Sequence, residues 1–284
     1  MGLPRRHKCR TLHTMKSRVA GAVFATVGLL AAGCATVPYT KRSQFMLVSE
    51  SQETQLGAAA FQEVLKKEPV SRDPAANAAV REVGERIARA ADRPDYKWEF
   101  VVIDDPKTVN AFALPGGKVA VYTGLFPVAR DEAGLAVVMG HEVAHALARH
   151  GAERISQQQA VQLGAIGASV ALGSAAPATQ SAIMQAFGLG AQVGVLLPFS
   201  RKQESEADQI GMILMAKAGY DPEAAVGLWE RMRTASGGKG PPELLSTHPS
   251  DDTRIERIRE FLPQARRYYV ADPTLVVSNL PAAH

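Results

Sequence analysis

Cysteine is nearly missing from this chain: 284 residues hold two, Cys9 and Cys34. Cys9 lies in a leader expected to be removed. No disulfide can then staple the remainder, whose stability has to come from a packed core. A run long enough to span a membrane is missing as well. Val19 to Ala32 is an unbroken apolar or small-residue stretch of fourteen, short of the roughly 20 residues a spanning helix needs. The Ala/Gly-rich region 156–199 is cut into pieces of marginal length by Gln157 to Gln159, Gln162, Pro177, Gln180, Gln185 and Gln192. It reads as two helices packed over a site, a lid rather than spans. A basic surface is the third absence. The formal charge of +4 comes from six Lys and Arg among residues 1–18, which hold no acid; without them 26 basic face 28 acidic side chains, a net charge of −2. That removes the argument for a nucleic-acid partner.

What the first residues do contain is a pattern for export. Six positive charges precede the fourteen-residue apolar run, which ends in Leu30-Ala31-Ala32-Gly33-Cys34. The order of charged, apolar and small residues predicts a signal peptide over 1–33, with Met15 as an alternative true start. Its end resembles a bacterial lipobox, with Ala31 where the commonest form has Leu. Lipidation of Cys34 would anchor a soluble body to a membrane through a tether over 34–48. Ala35 in place of Asp resembles lipoproteins sorted to the outer membrane. The expected location is therefore the cell envelope, at the periplasmic face of the outer membrane. The 251 residues from Cys34 onward suffice for one domain with a real core.

The chemistry is concentrated in Gly140-His141-Glu142-Val143-Ala144-His145. Two histidines four apart share one face of a helix and can grip one zinc ion, while Glu142 lies one position on, placed to act on a water without binding the metal. This H-E-x-x-H arrangement reads as two ligands and a general base, set in a helix that Val137, Val138, Ala144 and Leu147 make apolar. A zinc site that does chemistry needs a third protein ligand and one open position. His150 is nine residues from His141, about 900° around a helix and so on the opposite face. It fits better near the negative end of the helix dipole, with Gly151 as the stop. Glu204, in Ser200-Arg201-Lys202-Gln203-Glu204-Ser205-Glu206-Ala207-Asp208, is the better candidate. Asp208, four residues on, would accept the spare ring N–H of a ligand histidine. Glu206 is the competing choice, about 200° from Glu204 around the helix.

With G-H-E-x-x-H followed by S-R-x-x-E-x-x-A-D, the chain resembles the zinc metallopeptidases that include the CAAX prenyl protease, HtpX, Oma-type and BepA proteins. Val109-Asn110-Ala111-Phe112-Ala113-Leu114-Pro115-Gly116-Gly117 and Ser246-Thr247-His248-Pro249-Ser250 match the same family in the same order, from about residue 40 to 262. The resemblance implies an α+β, mostly helical, gluzincin-like metallopeptidase domain over 49–262. A small antiparallel-containing sheet would pack beside the H-E-x-x-H helix. It implies one Zn²⁺ per chain held by His141, His145 and Glu204, with Glu142 catalytic. Substrate backbone would pair near Asn110, Ala111 and Phe112, and His248 would act close to the zinc, as a latch or an oxyanion donor. Protein or peptide substrates follow, with envelope assembly machinery as a candidate partner. No helical-repeat array follows the domain, and 263–284 reads as a tail.

Along the chain, helices are expected over Ser49 to Lys67, over Pro74 to Ala91 with Asp73 as cap, to about Ala235 after Asp221-Pro222, and after Asp251-Asp252. A strand covers 98–103, and Pro115-Gly116-Gly117 joins two more in a hairpin. The expected activity is zinc-dependent peptide hydrolysis in envelope protein quality control. The rival is a catalytically silent lipoprotein that holds misfolded envelope proteins, although Glu142 would then have no purpose. The leader makes the first prediction. Cys34→Ser should abolish labelling with a palmitate analogue and release the domain from membranes; retention without lipid would assign the anchoring to residues 156–199.

Overall fold

The computed structural model describes residues 34–160, 200–235, 244, 248 and 253–282. The signal peptide expected over 1–33 and nearly all of the lid expected over 156–199 lie outside the described residues. The chain opens with a two-stranded antiparallel hairpin, β1 (Cys34–Thr36) and β2 (Ser43–Phe45). Two helices follow, α1 (Glu50–Lys67) and α2 (Pro74–Ala91). Next come β3 (Glu99–Ile103), β4 (Ala111–Leu114) and β5 (Lys118–Tyr122), then the single turn α3 (Phe126–Ala129) and the long α4 (Glu132–Leu147). Beyond residue 200 lie α5 (Arg201–Lys217), α6 (Ala224–Ala235) and α7 (Arg254–Ala265).

Local chemistry sets these boundaries. Ser49 caps α1 in a reciprocal box with Gln52, and Ser200 caps α5 in the same way with Gln203. Asp73 caps α2 ahead of Pro74, and Asp131 caps α4 by accepting the Gly134 N–H at 2.8 Å.

The sheet order is β3-β5-β4, with β3 parallel and β4 antiparallel to β5. Alternation along the strands divides the interior. Ala111, Val119 and Val121 face the large core built with α2, α4, α5, α6 and α7. Phe112, Leu114 and Ala120 face a smaller core with Phe61 of α1 and with Ala152 and Ile155. The mixed sheet beside a buried helix agrees with the α+β, mostly helical architecture that the sequence implied. Helix α4 is the centre: every residue from Gly134 to Leu147 is buried, against α2, α5 and β4 among others.

Three expectations need correction. The stretch 34–48 is folded rather than a bare tether: Val37, Gln44, Met46 and Val48 are buried within or just after the hairpin. Gly151 does not end the zinc-binding helix. Arg149 does, at φ 56°, and residues 150–160 resume as helix in a new direction. Nor does the domain stop at 262. Helix α7 runs on to Ala265, and Ser278 to Leu280 bond to Arg130 and Glu132 beside the start of α4, with Leu280 N to Arg130 O at 2.8 Å.

Helices α4 and α5 cross with their backbones nearly touching. A Cβ on Gly140 would meet the Gly211 carbonyl at 2.9 Å, and one on Gly211 would meet the His141 nitrogen at 2.8 Å. Glycine at the crossing lets the acids of α5 reach the histidines of α4. Gly211→Ala should therefore destabilise the zinc-free protein by about 1–3 kcal/mol, as overpacking does, and weaken zinc uptake as well. Denaturant unfolding and a chelator competition would measure the two effects.

Candidate metal centre

One turn of α4 separates His141 from His145, and both rings point at the first two turns of α5, where Glu204 sits. His248 arrives from the segment before α7. These four are the described His, Cys, Asp and Glu residues able to share an ion, with one donor atom each, all within 4.8 Å of one another. Each is between 2% and 4% exposed, as is Glu142.

The spacings test whether zinc fits. Tetrahedral ligands at about 2.0–2.1 Å from an ion stand roughly 3.3–3.4 Å apart. His141 Nε2 lies 3.1 Å from His145 Nε2, 3.3 Å from His248 Nδ1 and 3.4 Å from Glu204 Oε2. Glu204 Oε1 lies 3.4 Å from His145 Nε2 and 3.0 Å from His248 Nδ1. Glu204 Oε2 is buried and accepts no hydrogen bond, with only the Arg254 guanidinium, at 3.2 Å, to offset its charge. Three imidazole nitrogens and the two oxygens of the Glu204 carboxylate, with these contacts at 3.0–3.4 Å, make a donor set that fits zinc. The protein uses zinc.

Electrostatics treats the two histidines of α4 in opposite ways. Burial disfavours charge on His145 and lowers its pKa well below the usual value, which leaves its lone pair available. Burial opposes charge on His141 too, but hydrogen bonds to Asp208 and Glu204 outweigh it and lift the pKa to about 9. Burial also works against the Glu204 carboxylate. His248, His141 and His145 prevail and hold it ionised. Burial pushes the Glu142 carboxyl up. Its Oε1 accepts no hydrogen bond and lies 3.4 Å from His248 Nε2.

Asp208 stands where the spacing put it, accepting from His141 Nδ1 at 2.9 Å. Its other partner was not foreseen. Arg254, 1% exposed, donates to both carboxylate oxygens of Asp208 at 2.8 and 2.9 Å. It also reaches Glu204 Oε2 at 3.2 Å and lies over the Trp229 ring at 3.4 Å. The sequence carried a signal for it. Arg254 is in register with Ile258 and Leu262 on the apolar stripe of α7, a position where a charge needs a buried partner.

His150 does lie just past the end of α4, but it is no bystander there. It is fully buried, with Nδ1 2.9 Å from His145 Nδ1. The 900° extrapolation failed because the helix breaks at Arg149. Glu206 takes no place among the four donors and instead accepts from His150 Nε2 at 3.0 Å. Asn110 turns its side-chain oxygen back to the Ala111 N–H at 2.9 Å, and Ala111 and Phe112 are buried in β4. Cys34 opens β1, far along the chain from the donors but joined to them through the hairpin described below.

Removing a ligand should differ from removing its support. Glu204→Gln should abolish tight zinc binding. Asp208→Ala should weaken it about 10–100-fold, the usual loss for an outer partner of a ligand histidine. Titration against a chelator would rank them, and equal losses would count against Glu204 as a ligand.

Residues 74–262 match the family model described as Peptidase family M48. Among curated proteins, the mitochondrial metalloendopeptidase OMA1 of Schizosaccharomyces pombe is 42% identical over 234 residues, 81% of this chain and 67% of that protein. The OMA1 of Saccharomyces cerevisiae is 31% identical over 269 residues, 86% of this chain and 75% of that protein. The β-barrel assembly-enhancing protease of Escherichia coli is 31% identical over 261 residues, covering 88% of this chain but 53% of its own length.

Proposed function

The chain belongs to peptidase family M48 as a zinc metalloendopeptidase, and from that premise we propose that it works in the bacterial cell envelope, anchored by lipid on Cys34, and cleaves misfolded or misassembled envelope proteins. The observation that carries the enzymatic part is the buried His141–His145–Glu204 donor set with Glu142 beside it. The compartment rests on the leader ending at Cys34, and the substrate class on the E. coli relative named for β-barrel assembly. The mitochondrial relatives argue for the chemistry alone. No helix among the described residues is long and apolar enough to cross a membrane.

Bound zinc supplies the Lewis acidity that activates a water and polarises the scissile carbonyl. The rest falls to the chain. Glu142, its carboxyl pushed up by burial toward the range of a useful base, takes the proton of the attacking water and returns it to the leaving amine. Asp208, clamped by Arg254, holds His141 in place. Strand β4 has β5 along one edge, and among the described residues no strand pairs with the other. An extended peptide can add there, beside Asn110 to Phe112, through the main-chain groups of β4 that face away from β5.

His248 fits the latch reading. Its Nδ1 stands among the other three donors, where it would close a fourth position that catalysis needs open. Leu244, on the same segment, donates its N–H to the Val109 carbonyl at 3.2 Å, at the mouth of the β4 edge. Leu244 thus touches the residue before β4, and His248 touches the donors.

Casein digestion by the purified protein should stop on chelation and return with zinc. Glu142→Gln should keep its zinc and lose about 10²–10⁴-fold in turnover, as loss of a general base does. His248→Ala should raise basal proteolysis, whereas an oxyanion donor would lower it with zinc still bound. Casein that is bound but never cut would favour the holdase instead.

A further inference from the structure

The zinc centre has a second outer arm, and its far end lies in the N-terminal hairpin. Arg42, at the end of the β1–β2 turn, sends Nη1 and Nη2 to the two oxygens of Glu153 at 2.6 and 2.9 Å. Its Nε donates to Glu206 Oε2 at 2.8 Å. Thr40 in the same turn donates to Glu206 Oε1, and Gln203 Nε2 donates to Glu153 at 2.8 Å. Glu206 Oε2 is also the acceptor for His150 Nε2 at 3.0 Å, and His150 Nδ1 stands 2.9 Å from His145 Nδ1. An unbroken path therefore runs Arg42–Glu206–His150–His145, inside the protein from Glu206 onward.

Proton accounting along the path fixes its direction. An ionised carboxylate only accepts, so His150 carries its hydrogen on Nε2 and presents a lone pair at Nδ1. His145 must then bring its own hydrogen on Nδ1, which leaves the Nε2 lone pair facing the donor cluster. Glu206 thus sets the tautomer of two imidazoles in series. The arrangement parallels the first arm. There, Arg254 clamps Asp208, which orients His141 directly; here, Arg42 clamps Glu206, which orients His145 through one additional ring.

We propose that Arg42, Glu206 and His150 are positioning residues for His145, so that the N-terminal hairpin is a working part of the zinc centre. This rests on His145 being a zinc ligand. Arg42 stands eight residues after Cys34, and the pairing of Cys34 with Phe45 belongs to the same hairpin. Whatever holds or pulls Cys34 thereby acts on the scaffold of a metal ligand.

The test uses the full-length protein with Arg42→Ala, Arg42→Lys and His150→Phe. The last keeps the ring volume, removes both nitrogens and leaves the Arg42–Glu206 pair in place, so it decides the matter if Arg42→Ala does not fold. Zinc affinity from chelator competition should fall about 10–100-fold in Arg42→Ala and His150→Phe, with partial recovery in Arg42→Lys. The visible absorption bands of the cobalt-substituted protein should shift in the same variants, because the geometry at His145 changes. A lower melting temperature of the metal-free protein, with zinc affinity and cobalt spectrum unchanged, would reduce the network to a structural clasp and overturn the proposal. Wild-type protein that takes up no zinc would overturn the reading of the site itself, and this proposal with it.

Discussion

Ionised groups withdrawn from water have to compensate one another, and this molecule is arranged around that requirement. Glu204, Asp208, Glu206 and Glu153 are all buried, in a layer where solvent cannot stabilise them. Arg254 answers Asp208 and Glu204; Arg42 answers Glu153 and Glu206; the imidazoles of His141, His145, His150 and His248 fill the gaps between them. The cluster still leaves Glu204 Oε2 and Glu142 Oε1 without hydrogen bonds. Both oxygens belong to the buried cluster around His141, His145 and His248, so the imbalance sits beside the candidate metal donors.

That requirement explains how much of the site could be read from the chain. His141, Glu142, His145, Glu204 and Asp208 repeat at helical spacing, and within a continuous helix spacing determines which side chains share a face. The Asp73 cap and the Pro-Gly-Gly hairpin are equally local, and they too stand where the sequence put them, while Ser49, expected at the start of its helix, proves to be the cap. His150 and Glu206 stay out of the donor set, as expected, but the contact of His150 with His145 was not legible, because it follows a non-glycine residue in the left-handed region, Arg149 at φ 56°. No composition rule marks such a break. Arg42 was out of reach for a different reason, since its partners are brought together only by the tertiary fold; Arg254 could be flagged by its place on an apolar stripe, but its partners could not. The tether was misread because its buried residues are few and short-range pattern alone does not reveal a three-residue strand pair.

The relatives share this plan at different lengths. The chain accounts for about half of the E. coli β-barrel assembly-enhancing protease and two thirds of the S. pombe OMA1. The region common to them holds α4, α5 and the segment bearing His248, and the family match begins at residue 74, after the hairpin and α1. Arg42 and Thr40 therefore lie outside the family match, whereas Glu153, Glu206 and His150, through which they reach His145, lie within it.

The left-handed break, the hairpin and the closing tail together have a consequence for the order of synthesis. Arg42 leaves the ribosome more than two hundred residues before Arg254, and Ser278 to Leu280, which bond beside the start of α4, come later still. The two ends of the chain must both be present before the ligands are fully supported. Contacts of such long sequence separation form late, because the loops between them have to close first. A growing chain therefore carries its H-E-x-x-H sequence in an inert state, and proteolytic competence is acquired as a property of the completed fold.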